Sequence, residues 1–332
     1  MINQFYMNLG TRSFWSQNPC TPGWFNTLSQ MWSAAPPRLL ETVKTMHANA
    51  LPPGITLKRA QVGDLPAIIE FWGRYFSITK SCKSAVPLSH LRKMVLEGKW
   101  EILILVSGGG DVLGSVVRRK IAGLHIREAR WEEAACIDYY CIHPGWRKRG
   151  LGRILLNAIH NTGASPMPPQ LIFWEGLRPS VPPLVVGCFF ARKCAGSVAA
   201  VQITDPVKCK EAWANCVKGV DVWTESWGDE VSFWRGGSAA AAAEAPVVIW
   251  NTFHQALGGS VGVILGCGAT AAAADALASS KSPWGVLLLP QATPFTQFGE
   301  CSDGWTFDSA FQWIGYNLSV GFISGKFPAL GL

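Results

Sequence analysis

The chain has 332 residues, is 48% hydrophobic and only 15% charged, and carries a formal net charge of +7. That balance excludes a disordered chain and allows roughly two domains that together bury about three quarters of the unfolded surface. No stretch reads as a signal peptide or a membrane span; the most membrane-like run, Ser260 to Ser280, is mostly Gly and Ala, contains Asp275, and reads as a buried strand followed by a helix.

In chain order, residues 1–50 read as an arm with little periodicity, broken by Pro19, Pro22, Pro36 and Pro37, with a short helix over Leu39–Met46. Ile55–Arg59 reads as a strand. Asp64 caps a helix running to Phe76, whose apolar positions Leu65, Ile68, Ile69, Trp72 and Phe76 fall at helical spacing. Leu88–Glu97 is a second helix. Glu101–Val106 and Val112–Val117 are strands joined through Gly108-Gly109-Gly110-Asp111, a hairpin signal. Ala134–Ile142 is a central strand, and Gly150–His160 a helix behind it. Leu171–Trp174 and Val185–Phe190 complete a first sheet, with a proline-rich turn, Arg178–Pro183, before the last strand.

The order then partly repeats. Ala199–Thr204 is a strand, and Asp205–Val217 a helix capped by Asp205 with Pro206 at its first position. Val220–Thr224 and Val231–Arg235 read as two hairpin strands. Ala239–Ala245 is low-complexity. Val247–Phe253 is a strand and Ala269–Lys281 an Ala-rich helix, followed by strands over Val286–Leu289 and Phe307–Asn317. The expected fold class is therefore α/β with mixed sheets, built from two tandem units. Their bounds are 51–194 and 195–332, preceded by the arm at 1–50.

Charge is split between the halves. Residues 1–194 hold 23 Lys and Arg against 11 Asp and Glu, whereas residues 195–332 hold 6 against 11. A basic half suits a polyanion such as coenzyme A or a nucleic acid, and an acidic half a basic peptide; a charge-built dimer or chance gives the same split. No nucleic-acid-binding motif is present. The ten cysteines include no C-x-x-C pair, so zinc and redox signatures are absent and no metal is expected. They read as buried reduced thiols of a cytoplasmic or other reducing intracellular compartment.

The most informative stretch is IDYYCIHPGWRKRGLGRILL, from Ile137 to Leu156. A strand enters a basic turn, Arg147-x-x-Gly150-x-Gly152, and a helix leaves it. Backbone N–H groups converge at such a helix N-terminus, the helix dipole favours negative charge, and glycines allow close approach, so the turn suits a pyrophosphate. Arg147, Lys148, Arg149 and Arg153 add positive charge. A basic surface turn before an ordinary helix is the plain alternative. The later Gly266-x-Gly268 has no basic residue beside it, and a second such site is not expected.

This stretch resembles the acyl-CoA-binding loop of the GNAT acyltransferases, and a tandem of two such units resembles the N-myristoyltransferase family. Ordered local matches carry the resemblance: Ser13-Phe14-Trp15-Ser16-Gln17-Asn18-Pro19, Leu51-Pro52-Pro53-Gly54-Ile55-Thr56, Asp138-Tyr139-Tyr140-Cys141-Ile142-His143, Trp250-Asn251-Thr252-Phe253-His254 and Gln312–Asn317. The resemblance implies transfer of a fatty acyl group from acyl-CoA, myristoyl-CoA first, to the N-terminal glycine of a peptide or protein. It implies an oxyanion hole from the backbone N–H groups of Tyr139 and Tyr140, and a catalytic base in the terminal carboxylate of Leu332. It places Arg12, Phe14, Trp15, Ile142, Arg147, Lys148, Arg149, Gly150, Leu151 and Gly152 at the acyl-CoA, and Asp138, Trp174 and Asn251 at the incoming peptide.

The pattern also departs from the family. Trp174-Glu175-Gly176 stands where the family has Thr-Ala-Gly, Asp138 where it has Asn, and Val248 where it has Ser; the connection between the halves is shorter. Gly150 and Gly152 are nearer to ordinary GNAT enzymes. Three functions follow: an N-myristoyltransferase-like enzyme, a short-chain relative using acetyl-CoA, and a non-catalytic subunit of a larger assembly.

Overall fold

A computed structural model of the chain describes residues 36–39, 51–77, 79, 82–162, 167–175, 184–237, 246–256, 259–265, 271–292 and 304–319. Through the first half these form β1 (Arg38–Leu39), β2 (Ile55–Arg59), α1 (Leu65–Tyr75), β3 (Lys83–Ser84), α2 (Leu88–Leu96), β4 (Trp100–Ser107), β5 (Val112–Ile126), β6 (Ala129–Ile142), α3 (Leu151–Asn161), β7 (Gln170–Glu175) and β8 (Val185–Lys193). The second half adds β9 (Val201–Ile203), α4 (Pro206–Val217), β10 (Val222–Thr224), β11 (Val231–Arg235), β12 (Val247–Ala256), β13 (Gly259–Leu265), α5 (Ala271–Ala278), β14 (Trp284–Ala292), β15 (Thr306–Gly315) and β16 (Leu318–Ser319).

Local chemistry explains the element ends. Asp205 caps α4 as expected, its Oδ1 accepting the N–H of Val207 and of Lys208 at 2.9 and 3.3 Å. Asp64 does not cap α1 with its side chain. It closes the preceding turn instead, accepting the Gln61 N–H at 2.9 Å and the Lys58 ammonium at 2.8 Å. Leu39 is paired with Leu318 in a short ladder rather than opening a helix; the residues expected to continue that helix lie outside the described ones.

One sheet carries both halves. Its strand order is β2-β4-β5-β6-β7-β15-β8-β14-β13-β12-β11-β9, with β10 and β3 attached beside β5 and β12. The order reads the same from either edge if each half contributes six strands and the two last strands, β8 and β15, are exchanged. Among the described residues the parallel strand pairs are β6–β7 and β13–β14, at equivalent places in the two halves. The expected tandem of two mixed α/β units is thus the architecture observed.

Two pairings differ from the sequence reading. β8 does not lie beside β7: β15 enters between them, pairing Trp313 with Phe173 on one side and with Val185 on the other. β10 does not form a hairpin with β11 but pairs with β5 of the first half, Trp223 opposite His125. Strand partners distant in sequence leave no local pattern, which is why both were misplaced.

Helices cover both faces of the sheet. Leu151, Leu155, Leu156 and Ile159 of α3 pack on Leu103, Leu105, Leu113 and Val116. From the opposite side Leu65, Ile68 and Trp72 of α1 and Leu91 of α2 pack on Ile102, Ile104 and Val117. Each fully buried aliphatic side chain of this kind contributes about 1.5–3 kcal/mol. In the second half, Trp213 of α4 packs near Trp250 and Val261, and Leu277 of α5 near Ile249 and Ile264. Cys82, Cys136, Cys141, Cys188, Cys209 and Cys216 are buried. Among the described residues no helix is long and apolar enough to cross a membrane.

The far end of α3 holds a buried histidine, His160, bonded to the Gln170 side chain and stacked on Tyr316. Burial pushes its pKa down to about 3. Between that value and an unfolded pKa of about 6.5, the unfolded chain binds a proton that the folded chain does not. Stability therefore falls on acidification, by about 2 kcal/mol from this residue between pH 7 and pH 5. Urea unfolding of the wild type and His160→Gln at both pH values checks this: the variant should lose about that much less. An identical pH dependence would remove His160 as the cause.

Candidate active site

The site begins at a break in the β5–β6 ladder. Ser115 pairs with Cys141 and Val117 with Asp138, so Tyr139 and Tyr140 together oppose one residue, Val116. This bulge puts Tyr139 at φ +47°, a conformation that costs a non-glycine residue about 1–3 kcal/mol unless its surroundings fix it. They do. The Tyr139 ring is buried against Trp72, Phe76 and Trp100, with ring centroids 4.2, 4.7 and 5.6 Å away. Its carbonyl accepts the Ser115 hydroxyl at 3.0 Å, and that hydroxyl accepts the Trp72 indole N–H at 2.8 Å.

After Ile142 the chain makes a short turn over Pro144–Trp146, and His143 Nδ1 accepts the Gly145 N–H at 3.1 Å. Arg147 Nε donates to the Ile142 carbonyl at 3.0 Å, and the Arg149 guanidinium lies 4.6 Å over the Trp146 ring. Lys148 and Gly150 both take left-handed backbone, at φ +62° and +80°. Gly150 is the N-cap of α3, where no side chain caps the first turn. A Cβ added at Gly150 meets nothing within 4 Å, whereas one at Gly152 collides with the Tyr140 hydroxyl, so the Tyr140 ring leans over that turn.

A cavity of about 590 Å³ opens onto this bend. Asp138, Tyr139, Tyr140, Ile142, Arg147, Lys148, Gly150, Leu151 and Gly152 line it, so most of the expected residues converge there. Arg149 is not among the described lining residues; its charge is directed onto Trp146. The Asn251 side chain serves the second half's own strand irregularity, accepting the Phe253 N–H at 3.1 Å, and is not among the lining residues either. Trp174 lies on β7 opposite Gln312, and its neighbour Phe173 lines the cavity. Arg12, Phe14, Trp15 and Leu332 lie outside the described residues.

Asp138 changes the character of the bulge. Its Oδ1 accepts the Tyr139 N–H at 2.7 Å, so one of the two donors expected for an oxyanion is engaged by a carboxylate. Burial raises the Asp138 pKa against the opposing pull of Arg119. The Arg119 guanidinium, 3% exposed, bridges Asp138 Oδ2 at 3.0 Å and Glu230 Oε2 at 2.5 Å. Glu230 also accepts the Trp250 indole N–H at 3.1 Å and faces His90 Nε2 at 3.2 Å. This buried chain of charges joins the two halves. Sequence reading missed it, because its members are separated by up to 140 residues.

The second half also reaches the cavity directly. Trp250, Thr252 and His254 of β12 line it, as do Tyr75 and Phe76 from the end of α1. Of these, the sequence points to the β12 stretch Trp250–His254, where the resemblance singles out Asn251. Cys141 lines the cavity too, but burial pushes its thiol up to about 12 and its Sγ donates to the Tyr75 carbonyl at 3.1 Å. It is not a ready thiolate nucleophile.

No family model matches the chain, and no curated protein matches it by sequence. Solved structures do. Saccharomyces cerevisiae N-myristoyltransferase with bound myristoyl-CoA aligns at a TM-score of 0.62 and 9% identity, over 95% of this chain and 94% of that one. The same yeast enzyme with bound myristoyl-CoA and inhibitors aligns at 0.66 and 9% identity, over 98% and 93%. This chain has the N-myristoyltransferase fold. The likeness covers both halves, and at this identity it concerns the fold alone.

Proposed function

We propose that this chain is an N-acyltransferase that takes a long-chain acyl-CoA, myristoyl-CoA first, and acylates the N-terminal glycine of a peptide. One observation carries the reading: a single cavity runs from the uncapped N-terminus of α3, beside Arg147 and Lys148, to side chains of the opposite half. The glycine-spaced bend receives the diphosphate of the thioester through main-chain N–H groups and the helix dipole. The amine nitrogen attacks the acyl carbon, the carbon–nitrogen bond forms, and the carbon–sulfur bond breaks. CoA leaves as the thiol with the proton given up by the amine. Holding amine and thioester together in one cavity supplies several kcal/mol of the barrier lowering. The Tyr140 side of the bulge stabilises the oxyanion, joined by the Tyr139 N–H when Asp138 turns away.

The engaged Tyr139 N–H favours a second reading, a non-catalytic relative that keeps the ligand site. Incubation with myristoyl-CoA and a glycine-starting peptide, followed by mass spectrometry, separates the two. The enzyme reading expects an amide-linked acyl peptide and released CoA, with acetyl-CoA a poorer donor. Bound thioester with no product would establish the second reading instead.

A further inference from the structure

His254 holds a buried acceptor that has no donor among the described residues. The residue is 3% exposed and lines the cavity from β12. Its Nδ1 lies 2.7 Å from the Thr252 carbonyl oxygen. A carbonyl only accepts, so Nδ1 carries the proton and Nε2 keeps its lone pair. Among the described residues Nε2 has no hydrogen-bond partner. Burial pushes the imidazole down to about 4, so it is neutral near pH 7.

Its neighbours fix its aim. The ring faces Phe76 at 5.7 Å and Tyr139 at 6.4 Å between centroids, and across the ladder the residue opposite is Ser84, whose hydroxyl makes no hydrogen bond to Nε2. The left-handed Phe253 and the register shift between Asn251 and His254 set the strand so that His254 lines the cavity. A lone pair buried in that place calls for an N–H or O–H from whatever fills the cavity. The α3 end is suited to phosphates, and a neutral imidazole is not. What the β12 wall can take is the nucleophile.

We infer that His254 Nε2 accepts an N–H of the substrate amine and so points the amine lone pair at the thioester carbon. This rests on the acyl-transfer reading. It assigns to the second half a substrate-contacting residue in a cavity whose ligand loop belongs to the first. The amine must arrive neutral to attack, and a neutral acceptor holds it without the competing pull that a carboxylate would exert on an ammonium.

The test uses the full chain loaded with a thioether analogue of myristoyl-CoA that cannot be cleaved. In ¹⁵N-histidine NMR, a short glycine-starting peptide should move the His254 Nε2 resonance toward the hydrogen-bonded position, and the N-acetylated peptide should not. With the cleavable thioester, His254→Phe should lower kcat/KM for the peptide by about 10- to 100-fold and leave acyl-CoA affinity unchanged. His254→Gln, which returns an acceptor oxygen, should recover much of the loss; melting curves of both variants control for folding. Turnover with no shift, and a wild-type kcat/KM in His254→Phe, would overturn the inference. A shift without turnover would overturn acyl transfer while the amine site stands. Neither shift nor turnover would overturn both.

Discussion

Replacing Arg119 with methionine should destabilise the fold by about 3–5 kcal/mol. Arg119 sits inside the sheet with a carboxylate on either side, Asp138 from β6 and Glu230 ahead of β11. Its guanidinium also lies 4.7 Å over the Trp100 ring. Burial alone opposes its charge, yet Glu230 and Asp138 more than offset this and raise its pKa further. Removing the cation leaves two buried anions without their shared partner, and that orphaned charge is the main cost rather than the lost attraction. Denaturant unfolding with an unchanged slope would measure it. A paired replacement, Arg119→Met with Glu230→Leu, should recover part of the loss, because it takes away one stranded charge with the other. A single-variant effect below about 1 kcal/mol would show that the network is not what joins the halves.

Gly150→Glu should weaken thioester binding about 100-fold while the fold survives. Nothing lies within 4 Å of a Cβ at this position, so the side chain itself causes no clash. The left-handed backbone at φ +80° adds a penalty of about 1–2 kcal/mol. The larger effect is electrostatic. At an effective dielectric of about 20, a carboxylate about 6 Å from a phosphate costs about 3 kcal/mol, roughly a 100-fold loss of affinity. Calorimetric titration with myristoyl-CoA, beside a melting curve of the unliganded variant, reads the two effects separately. Wild-type affinity in the variant would place the diphosphate elsewhere.

The legible parts of this molecule were the local ones. The α3 bend could be read because glycine spacing, basic residues and the strand-to-helix change all fall within Ile142–Leu156. β2 and β11 matched residue for residue, since alternating burial is written in five-residue windows. The exchanged strands were not legible. β15 inserts beside β7 through pairs such as Gln312 with Trp174, and no local pattern specifies a partner so far away. The same reason hid half of the site. Asp138 could be flagged as an oddity, but its partners Arg119 and Glu230 become neighbours only after folding. On β12 motif likeness points to Asn251, whereas the strand's irregularity directs His254 to the cavity wall.

The central claim is that a CoA diphosphate docks at the glycine-spaced N-terminus of α3. Titrating the wild-type chain in parallel with myristoyl-CoA and with myristoyl-pantetheine, which keeps the thioester and lacks the diphosphate, tests it most directly. One site per chain for myristoyl-CoA, with most of the affinity lost for the truncated thioester, is the predicted result. No binding of myristoyl-CoA, or equal binding of the two, would contradict it.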